Sequence, residues 1–125
     1  MLLLDDEKVI CEIGKRLFEK RGFKVHAVLT VKEALSKIDQ YQYDIALLDQ
    51  HLERGSGLDV LKVLREKQPQ CQCIMLTVED DQAIIAQAKA MGAVDYLIKP
   101  LQIKDIDKAI NKVAKRIKKE RGNNG

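Results

Sequence analysis

Short β runs separated by amphipathic helical stretches constrain this chain more than any other feature of its sequence. The β runs fall at residues 2–4, 24–29, 44–48, 73–76 and 94–98. They do not alternate apolar with polar residues, so each is expected to be buried on both faces, as in a parallel sheet covered by helices. Between them the spacing becomes helical. Val9, Ile10, Ile13 and Leu17 recur at that spacing within residues 7–20, and Arg21-Gly22 closes the segment. Thr30-Val31-Lys32-Glu33 reads as a capping box, in which Thr30 and Glu33 satisfy free N–H groups reciprocally. Ala34, Leu35 and Ile38 then give the second helix its apolar face. Leu58, Leu61 and Leu64 mark a third helix, with Pro69 beyond its end. Asp80 or Asp81 caps a fourth over residues 83–91, which Gly92 ends. Ile106, Ile110, Val113 and Ile117 form one stripe on the last. A β-α unit repeated five times predicts an α/β fold. Its right-handed crossovers and strand-order reversal place ligands at the carboxyl ends of the strands.

Size and charge narrow the functional classes. The 125 residues suit one domain, and a chain of this size buries roughly two-thirds of its unfolded surface. With 46% hydrophobic and 33% charged residues the composition is that of a soluble globular protein. No apolar run is long enough to cross a membrane, and "MLLLDDE" lacks the length and basic flank of a signal peptide. A cytoplasmic protein with no membrane partner is expected. The net charge of +3 is unevenly placed, with "KVAKRIKKER" at residues 112–121. That stretch reads as a nucleic-acid tail or as the solvated face of the last helix. The absence of Trp, and of aromatics interleaved with the basic residues, favours the helix. Cys11, Cys71 and Cys73 lack a zinc-site spacing and read as buried small hydrophobes. No glycine-rich phosphate cradle follows the first strand, which argues against nucleotide binding.

What stands at the five strand ends carries the chemistry. Asp5 and Asp6 follow the first, Asp49 the third, Thr77 the fourth, and Lys99 with Pro100 the fifth. Two like charges 4 Å apart repel by about 4 kcal/mol at an effective dielectric of 20. Lys99 alone cannot offset several such pairs, whereas a hard divalent cation can. An all-oxygen donor set suits Mg²⁺, which takes one or two carboxylates together with phosphate oxygens. The rim therefore reads as a metal-assisted phosphate site in which a carboxylate is the nucleophile.

The motifs "LLLDDE", "YDIALLD" with Gly57, "IMLT" and "GAVDYLIKP" together resemble the receiver domains of two-component response regulators, over nearly the whole chain. The resemblance implies a flavodoxin-like (βα)5 three-layer sandwich with a five-stranded parallel sheet in the order 2-1-3-4-5, an order that general accounts of the fold illustrate with a receiver protein. It implies a receiver domain over residues 1–119 and a flexible tail or linker remnant over 120–125. Asp49 would be the phosphoacceptor, supported by Lys99 and Thr77. Thr77 and Tyr96 would form the switch. Mg²⁺ would be held by Asp6 directly, Asp5 mainly through water, Asp49, and the backbone carbonyl of His51. The Lys99–Pro100 bond would be cis. Gly57 would let the chain turn into the third helix. Two positions depart from the family. Glu53 stands where Pro is usual, four residues after the acceptor, and Val78 where a small residue is usual. Val78, His51 and Glu79 would therefore control phosphoryl access.

The function so implied is phosphoryl transfer to Asp49 from a histidine kinase or histidine phosphotransfer protein, with Mg²⁺ as cofactor. Catalysis would be limited to self-phosphorylation and self-dephosphorylation, so the chain would not be an enzyme in the ordinary sense. The partner-binding surface of helix 4, strand 5 and helix 5 would switch, contacting an output domain or partner protein, with a phosphorylation-dependent homodimer as one arrangement. Direct nucleic-acid binding by this domain is not expected. The alternative is a non-phosphorylated receiver-like interaction module, which a lost acid or lysine would favour. A metal-dependent phosphohydrolase would need a substrate pocket or cap that short loops do not supply.

Overall fold

The computed structural model describes residues 1–78 and 81–123. Five parallel strands lie in the order β2-β1-β3-β4-β5. They are β1 (Leu2–Leu4), β2 (His26–Val28), β3 (Ile45–Asp49), β4 (Gln72–Thr77) and β5 (Asp95–Ile98). The helices between and after them are α1 (Lys8–Lys20), α2 (Val31–Gln40), α3 (Gly57–Lys67), α4 (Gln82–Ala90) and α5 (Ile103–Asn123). β1, β3 and β4 are buried along their whole length, which is why their sequences do not alternate, whereas the edge strands β2 and β5 are only partly buried, contrary to the expectation for all five. Two cores form, one on each face of the sheet. Leu2, Leu4, Ala46, Leu48, Cys73 and Met75 point to one, against α2, α3 and α4. Leu3, Ile45, Leu47, Ile74 and Leu76 point to the other, against α1 and α5. This is the flavodoxin-like three-layer sandwich.

Several local expectations need correction. Asp49 and Thr77 are the last residues of their strands, not the first residues beyond them. β2 is shorter than residues 24–29, because its one neighbour, β1, pairs with it only from Leu2 to Leu4, against His26 to Val28. The capping box is only half formed at α2, where Thr30 Oγ1 accepts from the Glu33 N–H at 3.1 Å. A complete box instead starts α3: Ser56 Oγ accepts from Leu58, and the Ser56 N–H donates to Asp59 Oδ2. Asp81 caps α4, accepting from Ile84, and Asp80 lies outside the described residues. α5 runs through Asn123, and residues 124–125 also lie outside the described residues.

The largest correction concerns α1. Val9 and Ile13, expected on its inner face, are 63% and 53% exposed, while Cys11 and Phe18 are buried. The helix turns its Cys11–Gly14–Phe18 stripe to the sheet because Gly14 has no side chain. A Cβ there would come within 2.8 Å of Leu3 Cδ2, so glycine permits the closest approach along that stripe. The three cysteines are free and buried, as their reading as small hydrophobes anticipates. Ile106, Ile110 and Val113 are buried on the inner face of α5, and Lys112 points toward Asp95 at 3.8 Å, so the basic run does lie on a helix.

Candidate functional site

The carboxyl ends of β1 and β3, adjacent in the sheet, bring Asp5, Asp6 and Asp49 together. One carboxylate oxygen from each lies within 4.8 Å of the others. Asp5 and Asp49 are buried, so their repulsion is poorly screened. Lys99, arriving from the end of β5, places Nζ 2.8 Å from Asp5 Oδ2 and 3.0 Å from Asp49 Oδ2. The Lys99–Pro100 peptide bond is cis.

Each acid has one oxygen held by a backbone N–H. Glu7 donates to Asp5 Oδ1 at 2.9 Å, Glu53 to Asp6 Oδ2 at 2.9 Å, and His51 to Asp49 Oδ1 at 3.2 Å. Asp49 Oδ2 is buried and accepts no hydrogen bond; Lys99 Nζ is close to it, but as an ion pair without hydrogen-bond alignment. Burial raises the Asp49 carboxyl above the ordinary value of 3.8, Asp5 adds to the rise, and Lys99 and the His51 N–H oppose it. For Lys99, burial acts downward, but Asp5 and Asp49 outweigh it and raise the ammonium above 10.5. A buried oxygen without a hydrogen bond, in an oxygen-only set of three carboxylates around one ammonium, fits a hard divalent cation such as Mg²⁺.

Glycine builds this site, though not by turning the chain at Gly57. The left-handed turn is at Gly55, with φ +85°. Gly57 is the first residue of α3, and a Cβ there would overlap the Asp49 carbonyl. Its role is to let α3 start directly against the Asp49 backbone.

The other residues singled out from the sequence stand around the site. Thr77 is buried and its hydroxyl donates to the Val78 carbonyl at 3.2 Å. Val78 is 44% exposed at the end of β4. The His51 side chain is half exposed, with Nε2 3.8 Å from Asp81 Oδ2. Tyr96 is partly buried against the first core, with Lys89 Nζ 4.9 Å from its ring centre. Glu79 lies outside the described residues. Beside Lys99, an apolar groove of about 550 Å³ opens between α1 and the start of α5, lined by Ile10, Ile13, Leu17, Pro100 and Ile103. Among the described residues, no helix is long and apolar enough to cross a membrane. Sequence reasoning missed the amide of Glu53, because a backbone donor carries no sequence signal except where proline removes it.

Known proteins resemble this chain in sequence and in fold. The photosynthetic apparatus regulatory protein RegA of Rhodobacter capsulatus is 36% identical over 110 residues, covering 88% of this chain and 60% of RegA. The acid tolerance regulatory protein ActR of Rhizobium meliloti is 34% identical over 106 residues, covering 85% of this chain and 55% of ActR. The chain thus spans little more than half the length of these relatives. Among solved structures, a CheY-like response regulator receiver domain protein from Methanospirillum hungatei superposes with a TM-score of 0.89 at 27% identity, covering 95% of each chain. A response regulator from Burkholderia pseudomallei, solved with a phosphorylated aspartic acid, calcium ion and citrate, superposes with a TM-score of 0.82 at 30% identity, covering 96% of this chain and 71% of that one. Residues 1–111 match the response regulator receiver domain family, and this chain belongs to the receiver domains of two-component response regulators.

Proposed function

We propose that this receiver domain accepts a phosphoryl group on Asp49 from a phosphohistidine of a histidine kinase or phosphotransfer protein. The observation that carries the reading is the carboxylate cluster within 4.8 Å, with the buried Asp49 Oδ2 left without a hydrogen bond. Three carboxylates around the single ammonium of Lys99 leave net negative charge, which suits the cluster to bind a cation and then to react. A carboxylate oxygen of Asp49 forms the new P–O bond as the P–N bond of the donor breaks, and the donor imidazole leaves with the electron pair. Asp6, Asp49 and the His51 carbonyl would hold Mg²⁺. Asp5, with one oxygen on Glu7 and the other on Lys99, fits a role through water. Mg²⁺ bound there supplies charge neutralisation on the phosphoryl oxygens.

The chain's own groups do the rest. Lys99 already stands 3.0 Å from Asp49 and would follow the phosphoryl oxygens. The Thr77 hydroxyl leaves the Val78 carbonyl to donate to one of them, Tyr96 follows, and the face of α4, β5 and α5 shifts between two populated states. That face would meet the output domain or partner, or a second phosphorylated copy. The exposed Ile13 and Ile103 line the groove beside Lys99 and suit the apolar face of a protein donor. The residues that a non-phosphorylated interaction module would dispense with are all present.

The test is intact mass after incubation with acetyl phosphate and Mg²⁺. A single phosphoryl adduct is expected in the wild type, and none with Asp49→Asn or in EDTA. An adduct that persists in Asp49→Asn, or forms fully in EDTA, overturns the assignment.

A further inference from the structure

We infer that the backbone N–H of Glu53 is a positioning group for the metal site, locking Asp6 in place from the opposite loop. The inference rests on Asp6 being a direct Mg²⁺ ligand. The bonds from Glu7 to Asp5 and from His51 to Asp49 are local, each spanning two residues, whereas the bond from Glu53 to Asp6 spans 47. It joins the loop after β1, which carries Asp5 and Asp6, to the loop after β3, which carries the His51 carbonyl and leads from Asp49.

Two consequences follow from this geometry. With Oδ2 held by Glu53 at 2.9 Å, the Asp6 carboxylate cannot rotate freely, which fixes how it is presented to the cluster. The same bond ties the loop after β3 to the loop after β1, which limits the motion of both loops around the cluster. Outer-shell partners of metal-binding carboxylates commonly carry about tenfold to a hundredfold of the affinity. The low end applies here, because the bond lies on the wall of an open cleft of about 350 Å³ lined by Asp6, Thr30, Leu52, Glu53 and Arg54, where water competes.

Proline at position 53 removes the donor, and alanine keeps it. Both remove the Glu53 charge, so the ratio between Glu53→Pro and Glu53→Ala isolates the N–H. Mg²⁺ affinity is measured by calorimetry on the unphosphorylated chain, with thermal unfolding in parallel. Glu53→Pro is expected to bind Mg²⁺ about tenfold more weakly than Glu53→Ala; affinities within twofold of each other overturn the inference. A second measurement avoids proline altogether. Without Mg²⁺, hydrogen exchange of the Glu53 amide should be at least about tenfold slower in the wild type than in Asp6→Ala. Equal exchange rates overturn the inference even if the proline variant does not fold. A wild-type chain that takes up no Mg²⁺ overturns the proposed function, and this inference with it, whereas bound Mg²⁺ with equal variants overturns the inference alone.

Discussion

At the amino ends of the strands, Gln68 is buried with its amide fully used. Its Oε1 accepts from the Tyr43 N–H at 2.8 Å, and its Nε2 donates to the carbonyls of Ile38 and Tyr41 at 3.0 and 2.7 Å. Beside it the Tyr43 hydroxyl meets His26 Nδ1 at 2.8 Å, and burial pushes the Tyr43 phenol up to about 12. At the carboxyl ends, Asp49 is as deeply buried, yet one of its oxygens has no hydrogen bond, and Asp5 and Asp6 crowd it. The same five strands carry both ends, so the contrast is one of purpose. A satisfied polar group ties α2, α3 and β3 together and stabilises the fold. An unsatisfied one costs stability and persists where a ligand supplies the missing charge.

Removing the satisfied group should be the more damaging change. Gln68→Ala strands two carbonyls and one N–H, and each buried group left unpaired costs roughly 1–3 kcal/mol. With partial rescue by water, a loss of about 3 kcal/mol is expected in urea unfolding. A loss below about 1 kcal/mol would break the comparison, because the amino end would then gain little from its network.

At the other end the sign should reverse. In EDTA at neutral pH, Asp49→Asn should stabilise the chain by about 1.5 kcal/mol, within the usual range for relieving a functional site. The pH dependence follows from the raised Asp49 carboxyl. Such a group favours folding only when protonated, so the wild type is penalised above its folded pKa. The gap between variant and wild type should be widest there and close as pH falls through the folded value toward 3.8. Mg²⁺ should stabilise the wild type and stabilise Asp49→Asn less. A variant less stable than wild type in EDTA would mean that the site is not strained by its charge.

The smallest effect concerns access. Val78 is β-branched and stands exposed where β4 ends, with few rotamers for moving aside. Val78→Ala should speed phosphorylation by acetyl phosphate about fivefold, equivalent to about 1 kcal/mol of barrier, with Mg²⁺ affinity nearly unchanged. Rates at matched Mg²⁺ decide it, and an equal or slower variant would show that the methyls do not guard Asp49.

Much of the site was legible because acids and a lysine at strand ends are read from position alone. Asp5, Asp6, Asp49 and Lys99 meet as their places in the β-α order require. Ser56-x-x-Asp59 was equally legible as a cap and was passed over. Gln68 carried no signal, since a glutamine before Pro69 looks like any helix end until Tyr43, Ile38 and Tyr41 surround it.

Residue type and period are local properties, and they determined the β-α order, the burial of β1, β3 and β4, and which side chains stand at the carboxyl rim. Tertiary structure alone decided how each element is rotated and what its backbone meets. α1 turns Val9 and Ile13 outward because Gly14 seats against Leu3. Asp6 meets an amide 47 residues away, and one oxygen of Asp49 is left without a hydrogen bond. Such outcomes depend on the distance and angle between packed elements, which no short stretch of sequence encodes.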